Sequence, residues 1–262
     1  MRAVSVPRSR VLLLAAGLVV LAGTGLARAA DEDALRQKAL ELNNVTGNDP
    51  IEGQIRALLS TPDATRKLLA VAVGMAKENP QPFHFNAAYI LGRVAHHLKE
   101  LDSAEVFYRL CVEHAVKLQS GQKLGQSFGA LIDLYFEQKK YDKTVQACRE
   151  FLDIRGNETV DRLKPAVLER MIQSLARQGK TDEALRIVDN LVKAEAEEDG
   201  WWFLQLRGWV LREADRLDEA AKTYETVLEK MTKDNLLKQE QKEHFAERTR
   251  YLLSSVYVDL ND

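Results

Sequence analysis

The chain has 262 residues, 37 basic and 39 acidic, with a net charge of −2; 45% of its residues are hydrophobic and 29% charged. This balance excludes wholesale disorder, and the near-neutral charge leaves no electrostatic footprint for nucleic acid. Glycine and proline number only 14 and 6, so helix breakers are scarce and long helices with short connections are expected.

The first 29 residues stand apart. Arg2, Arg8 and Arg10 precede an apolar run, Val11–Leu26, and Ala27-Arg28-Ala29 puts small residues at the two positions a signal peptidase reads. These are the three parts of a secretory signal peptide. Cleavage is expected after Ala29, with the mature chain periplasmic or secreted, in a bacterial envelope. The run is short of the roughly 20 residues that span a bilayer, so no stable membrane span is expected after cleavage. No cysteine follows the run, which argues against a lipid-modified N-terminus. The separated arginines favour general export over the twin-arginine route. Four of the 37 basic residues and none of the 39 acidic ones lie in residues 1–30, so the remainder carries a net charge of −6. It has no polybasic patch for anionic lipid. Of the two cysteines, Cys111 and Cys148, one reading in an exported protein is a disulfide; the other is two small buried residues on helices.

Residues 31–82 carry two helical patterns, "EDALRQKALELNN" and "DATRKLLAVAVGMAKEN", expected to form a degenerate N-terminal repeat or cap over 30–84. Four helix pairs follow. "FNAAYILGRVAHHL" precedes "KELDSAEVFYRLCVEHA"; "LGQSFGALIDLYFEQ" precedes "KKYDKTVQACREFLDI". "PAVLERMIQSLARQ" precedes "GKTDEALRIVDNLVKA"; "WWFLQLRGWVLREA" precedes "DRLDEAAKTYETVLEK". Turns of three or four residues force each pair into an antiparallel hairpin. Each second helix has an acid, a small residue two positions on, and a packing residue one turn further along that face. These are Asp102, Ala104 and Tyr108; Asp142, Thr144 and Cys148; Asp182, Ala184 and Val188; Asp218, Ala220 and Tyr224. After a charged stretch, "RYLLSSVYVDLND" begins again like a first helix through Leu253, Ser254 and Tyr257. A solenoid needs a polar capping helix at its end. Either this helix is that cap or the natural chain continues, and continuation is the expectation.

The pattern resembles the tetratricopeptide repeat, a helix–turn–helix unit with fixed large and small packing positions. The family's first-helix positions fall on Ala88, Leu91, Gly92 and Ala95; Phe128, Leu131, Ile132 and Tyr135; Leu168, Met171, Ile172 and Leu175; Leu204, Arg207, Gly208 and Leu211. Arg207 departs from Leu, Ile132 and Ile172 replace a small residue, and the closing Pro is absent. Units recur every 40, 40 and 36 residues rather than 34, and the extra residues are expected to lengthen second helices, as in Cys111–Gln122. The resemblance implies an all-α fold: a right-handed α-solenoid of stacked antiparallel helix pairs forming a TPR-like superhelix. The array is expected over 85–262, with units starting near 85, 125, 165 and 201 and a partial unit from 247. Ala220 is read as the small residue admitting close approach to Gly208; Ala221 is read as a helix former without a packing role.

The chain has no glycine-rich phosphate loop, no zinc-ligand spacing and no nucleophile elbow. His96 and His97 diverge by about 100° on a helix and would not share a metal. No catalytic residue, metal or cofactor is expected. In the resembled family the first helices line a binding groove, which here implies Asn86, Tyr89, Arg93 and His96; Asp133 and Phe136; Gln173 and Arg177; and Trp202, Gln205, Trp209 and Arg212. Tyr251, Val258 and Asp259 extend the set into the partial unit. Trp202 and Trp209 share a helix face and serve either as groove anchors or as packing against the neighbouring unit. Of the family's carboxylate-clamp positions only Arg170 fits, so that specificity is not implied. The expected function is a non-catalytic scaffold of the cell envelope that binds a protein or peptide in the groove. The alternatives are an oligomerising or structural module, with a homo-oligomer possible, and an α-solenoid enzyme drawing on Glu137, Glu169 or Glu213.

Overall fold

The computed structural model describes residues 25–194, 200–233 and 239–261. Residues 1–24 of the expected signal peptide lie outside them. The described elements are α1 (Gly25–Glu41), a 3-10 turn (Leu42–Asn44), α2 (Asn48–Leu59), α3 (Pro62–Glu78), α4 (Phe85–His97), α5 (Leu101–Leu118), α6 (Gly121–Glu137), α7 (Tyr141–Leu152), α8 (Glu158–Arg177), α9 (Thr181–Ala194), α10 (Gly200–Glu213), α11 (Leu217–Lys233) and α12 (Gln239–Asn261). No strand occurs among the described residues.

These helices stack as a solenoid of antiparallel pairs, α4 with α5, α6 with α7, α8 with α9 and α10 with α11. The pair α2–α3 precedes them, and Gly53 and Thr65 keep the twelve-residue spacing of Gly92 to Ala104 and Gly208 to Ala220. The first helices α2, α4, α6, α8, α10 and α12 succeed one another along one side. The helices α1, α3, α5, α7, α9 and α11 succeed one another along the other. One apolar core runs through the stack from Ala39 to Val256, so each pair completes its burial on its neighbours.

Each of the four pairs closes through a three-residue turn whose middle residue is left-handed: Lys99 (φ 62°), Lys139 (φ 56°), Gly179 (φ 73°) and Asp215 (φ 58°). The hydrogen bonds repeat as well. Lys99 N–H reaches His96 O at 3.0 Å and Glu100 N–H reaches Ala95 O at 2.9 Å; the corresponding bonds recur at Lys139–Lys140, Gly179–Lys180 and Asp215–Arg216. This is the Schellman closure, which satisfies carbonyls that the helix end would otherwise orphan.

Within a pair, bulk on one helix answers its lack on the other. A Cβ on Gly92 would lie 2.7 Å from the Tyr108 ring, and one on Gly208 would lie 2.7 Å from Tyr224. Where the first helix carries Ile132 or Ile172, the second carries Cys148 or Val188, and all four are buried. This exchange explains why the isoleucines replace glycine without prying the hairpins apart. Arg207, in place of leucine, binds sideways: Nε donates to Asp189 Oδ1 at 2.8 Å on α9, and Nη1 donates to Thr223 Oγ1 at 3.1 Å on α11.

Two expectations are revised. The extra residues lengthen the second helix only in the first pair, where α5 runs to Leu118; in the next two pairs they lengthen first helices, because α6 and α8 start at Gly121 and Glu158. Ser120 and Asn157 cap these helices, accepting from Lys123 N–H and Val160 N–H. The added turns pack on each other: a Cβ on Gly121 would meet Asn157 and Thr159, and one on Gly125 would meet Leu163. α8 therefore runs through Pro165. Ala221 is buried like Ala220, since α11 is held between α10 and α12 and two adjacent residues face both neighbours. Of the two readings open for the cysteines, the structure shows the second: Cys111 and Cys148 are buried free thiols on α5 and α7. Burial pushes the Cys148 thiol up to about 12, which leaves it protonated and unreactive.

Candidate binding face on the first helices

The expected groove residues lie along the first-helix side, and the structure ties most of them into links between successive helices. Arg93 Nη1 donates to Glu52 Oε1 at 2.8 Å, joining α4 to α2. His96 Nε2 lies 2.9 Å from Glu137 Oε2, joining α4 to α6, while Tyr108 meets the imidazole edge-on. Arg170 Nη2 donates to Asp133 Oδ1 at 3.0 Å, joining α8 to α6. Arg177 Nε lies 3.1 Å from Glu213 Oε2, joining α8 to α10. Arg212 Nε donates to Asp259 Oδ2 at 2.8 Å, joining α10 to α12. A ladder of polar links, four of them arginine–carboxylate pairs and one the His96–Glu137 contact, thus runs from α2 to α12. Each rung is partly exposed and contributes about 0–1 kcal/mol, so the ladder sets the register of neighbouring helices more than it stabilises them.

The aromatic residues of this face carry guanidinium groups. Arg93 lies 5.8 Å from the centroid of Tyr89, Arg170 lies 4.3 Å from Phe136, Arg177 lies 5.6 Å from Trp209, and Arg248 lies 5.8 Å from Trp202. Tyr89 also stacks on Phe85, and Phe136 meets Tyr141 edge-on. Gln173 accepts from Arg170 Nη1 at 3.2 Å and donates to Glu169 at 3.1 Å. Between Tyr89 on α4 and Glu169 on α8, the equivalent residue of α6 is Gly129, where an added Cβ would meet nothing within 4 Å. The face is open at that point.

Two expected residues are not free on this face. Asn86 Nδ2 donates to Val45 O at 2.8 Å and so anchors the segment entering α2. Gln205 is only 5% exposed, and its Nε2 donates to Thr249 Oγ1 at 2.9 Å inside the contact with α12. Trp202 is divided: it packs on the cluster of Val227 and Met231 while Arg248 covers it. Sequence reasoning missed Glu52 and the link from Arg170 to Asp133. The available signal was opposite charges about one unit apart in the chain.

The opposite side carries a second polar cluster. Tyr135 OH donates to Glu105 Oε1 at 2.9 Å and accepts from Arg109 Nε at 3.2 Å; Lys143 Nζ donates to Glu105 at 2.6 Å and Arg109 Nη1 to Glu150 at 3.0 Å. Burial opposes the charge of Glu105, but Lys143, Tyr135 and Lys140 outweigh it and hold its carboxyl below the usual carboxylate value. Burial and the bond to Glu105 push Tyr135 up to about 12. A cleft of about 520 Å³ between α3 and α5, lined by Lys77, Asp102, Glu105 and Arg109, borders this cluster. Among the described residues no group of three His, Cys, Asp or Glu side chains could hold a metal ion. No described helix is long and apolar enough to cross a membrane.

Two solved structures and one family model align with the chain. The nearly identical TPR-like repeats of a putative kinesin light chain from Podosopora anserina, solved as a point variant, align with a TM-score of 0.45 and 12% identity, over 77% of this chain and 92% of that one. A thermophilic TPR protein of Thermus thermophilus aligns with a TM-score of 0.35 and 18% identity, over 77% and 99%. No curated protein matches the sequence. The tetratricopeptide repeat family model matches residues 170–234, about a quarter of the chain, from the last turns of α8 to the end of α11.

Proposed function

We propose that the protein is an exported, non-catalytic scaffold of the cell envelope that binds a protein or peptide segment along its first-helix face. The observation that carries this reading is the row of arginine-covered aromatics, Tyr89, Phe136, Trp209 and Trp202, beside the open space at Gly129. Aromatic and arginine side chains supply most of the energetic hot spots of protein interfaces. A glycine inside a helix costs about 1 kcal/mol relative to alanine. At Gly129 no packing within the chain asks for it, and a glycine there admits close approach by a partner's backbone. The glutamates on which an enzyme would draw are held by His96, Gln173 and Arg177, which suits a binding role. The arginines, apolar run and Ala-Arg-Ala of residues 1–29 support export.

Two measurements test this. N-terminal sequencing of the protein from an exporting bacterial host is expected to begin at Ala30; a chain that keeps Met1 in the cytoplasm contradicts export. The tagged full-length chain, purified from envelope extracts, is expected to bring down a protein that Phe136→Ala and Trp209→Ala both release. Retention of that protein by both variants, with its loss on Lys117→Ala on the opposite side, contradicts the face.

A further inference from the structure

Two side chains where α10 meets α12 have donors that the chain leaves unanswered. The first is Tyr224 of α11. It is fully buried, its ring lies on Gly208 of α10, and its hydroxyl has no hydrogen-bond partner among the described residues. Its equivalent Tyr108 lies on Gly92 in the same way, and the Tyr108 hydroxyl stands 3.5 Å from Nδ1 of His96, one turn beyond Gly92. The residue one turn beyond Gly208 is Arg212. A neutral imidazole accepts a phenol's proton, whereas a guanidinium has donors only. The carboxylates nearby are committed, Asp259 to Arg212 and Glu213 to Arg177. Burial pushes the Tyr224 phenol well above its usual value, against the pull of Arg212 and Arg248, so it stays a proton donor. The second side chain is Arg248. Arg93, Arg170, Arg177 and Arg212 on this face each pair with a carboxylate. Among the described residues Arg248 pairs with none and meets the Trp202 ring.

We propose that this junction is a carboxylate-binding subsite of the first-helix face, where an aspartate or glutamate side chain of the bound segment docks between Arg212 and Arg248 and accepts the Tyr224 hydroxyl. It rests on the reading that a segment binds this face, and it names the chemistry of that segment. A carboxylate is an acceptor throughout, with room for several donors, and guanidinium groups bind it in a two-pronged geometry. Phenylalanine would fill the space over Gly208 without burying an unanswered hydroxyl, which destabilises the free chain; a ligand that accepts from it accounts for the tyrosine. The hydroxyl is closed to water in the free chain, so the flexible arginine side chains part to admit the anion. The position also sets a register. Gly129 on α6 and Gly208 on α10 lie two first-helix steps apart, roughly 20 Å, so the acidic residue falls about six extended residues from the part of the segment that crosses Gly129.

Three measurements on the full-length chain test this. Without ligand, Tyr224→Phe is expected to raise the melting temperature; a fall means that the hydroxyl is satisfied within the chain and overturns the subsite. Sodium acetate, titrated at constant ionic strength, is expected to change tryptophan fluorescence saturably, with affinity lowered about threefold by Tyr224→Phe and about tenfold by Arg248→Gln. No saturable change, or equal affinity in both variants, overturns the subsite. On an array of random peptides, those bound by the chain and released by Phe136→Ala are expected to lose about tenfold in affinity when one acidic residue is exchanged for its amide, a loss that Arg248→Gln removes. Peptides indifferent to that exchange, with acetate still bound, overturn the segment as the source of the carboxylate in favour of a free anion. Acetate binding with no peptide that depends on Phe136 overturns the face reading itself, and the segment with it.

Discussion

Gly92 and Gly129 lie on neighbouring first helices, and the same substitution is expected to act on them with opposite sign. Alanine at Gly92 would drive a methyl to 2.7 Å from the Tyr108 ring. Overpacking of that kind costs about 1–3 kcal/mol, more than the roughly 1 kcal/mol that alanine gains over glycine in a helix. Alanine at Gly129 meets nothing and is expected to stabilise by up to about 1 kcal/mol. Urea unfolding midpoints read both; stabilisation by Gly92→Ala would contradict the tyrosine-in-glycine packing. A titration gives a second residue-level outcome. The Glu105 carboxyl is held below its unfolded value, so its contribution is complete above the unfolded pKa of about 4 and is lost as pH falls through the folded value. Glu105→Gln is therefore expected to be less stable than the parent at pH 7, with the gap closing below about pH 4. A gap independent of pH would mean that the amide lost packing rather than charge. At this scale Ala220 was legible because its reason lies within its own hairpin. Ala221 and Gln205 were not, because α12, a repeat away, buries them.

At the scale of elements, the hairpins were legible from the interval between apolar patterns, and the turns have the expected length. Their conformation was not. Only Gly179 advertises a left-handed residue, whereas Lys99, Lys139 and Asp215 adopt it because the closing hydrogen bonds and the packed helices on either side impose it. Left-handed backbone costs a residue with a Cβ about 1–2 kcal/mol. Lys139→Gly is thus expected to stabilise the protein by about 1 kcal/mol, and Gly179→Ala to destabilise it by about 1–2 kcal/mol, both measured by thermal unfolding. Stabilisation by Gly179→Ala would contradict the shared turn geometry. The starts of α6 and α8 were misjudged for a related reason, while those of α4 and α10 fall where expected. Pro165 reads as a beginning, yet the cap at Asn157 and the packing of Leu163 over Gly125 carry α8 through it.

Over the whole molecule, the chain repeats one packing rule and strings the first helices together by polar side-chain links. The rule was readable from the small-residue spacing of twelve. The ladder was not, because its rungs join residues 36 to 47 positions apart that no local pattern connects. Since each rung is worth about 0–1 kcal/mol, Asp133→Asn is expected to lower stability by less than about 1 kcal/mol; a loss of several would make the ladder a structural necessity rather than a register device. The central claim is that the first-helix face receives a partner, and Gly129 offers the most direct access to it. A photo-cross-linking side chain placed at position 129 of the full-length chain, in the exporting host, is expected to capture a discrete partner protein that the same group at Lys117 does not. No adduct from position 129, or the same adduct from both positions, would contradict the account.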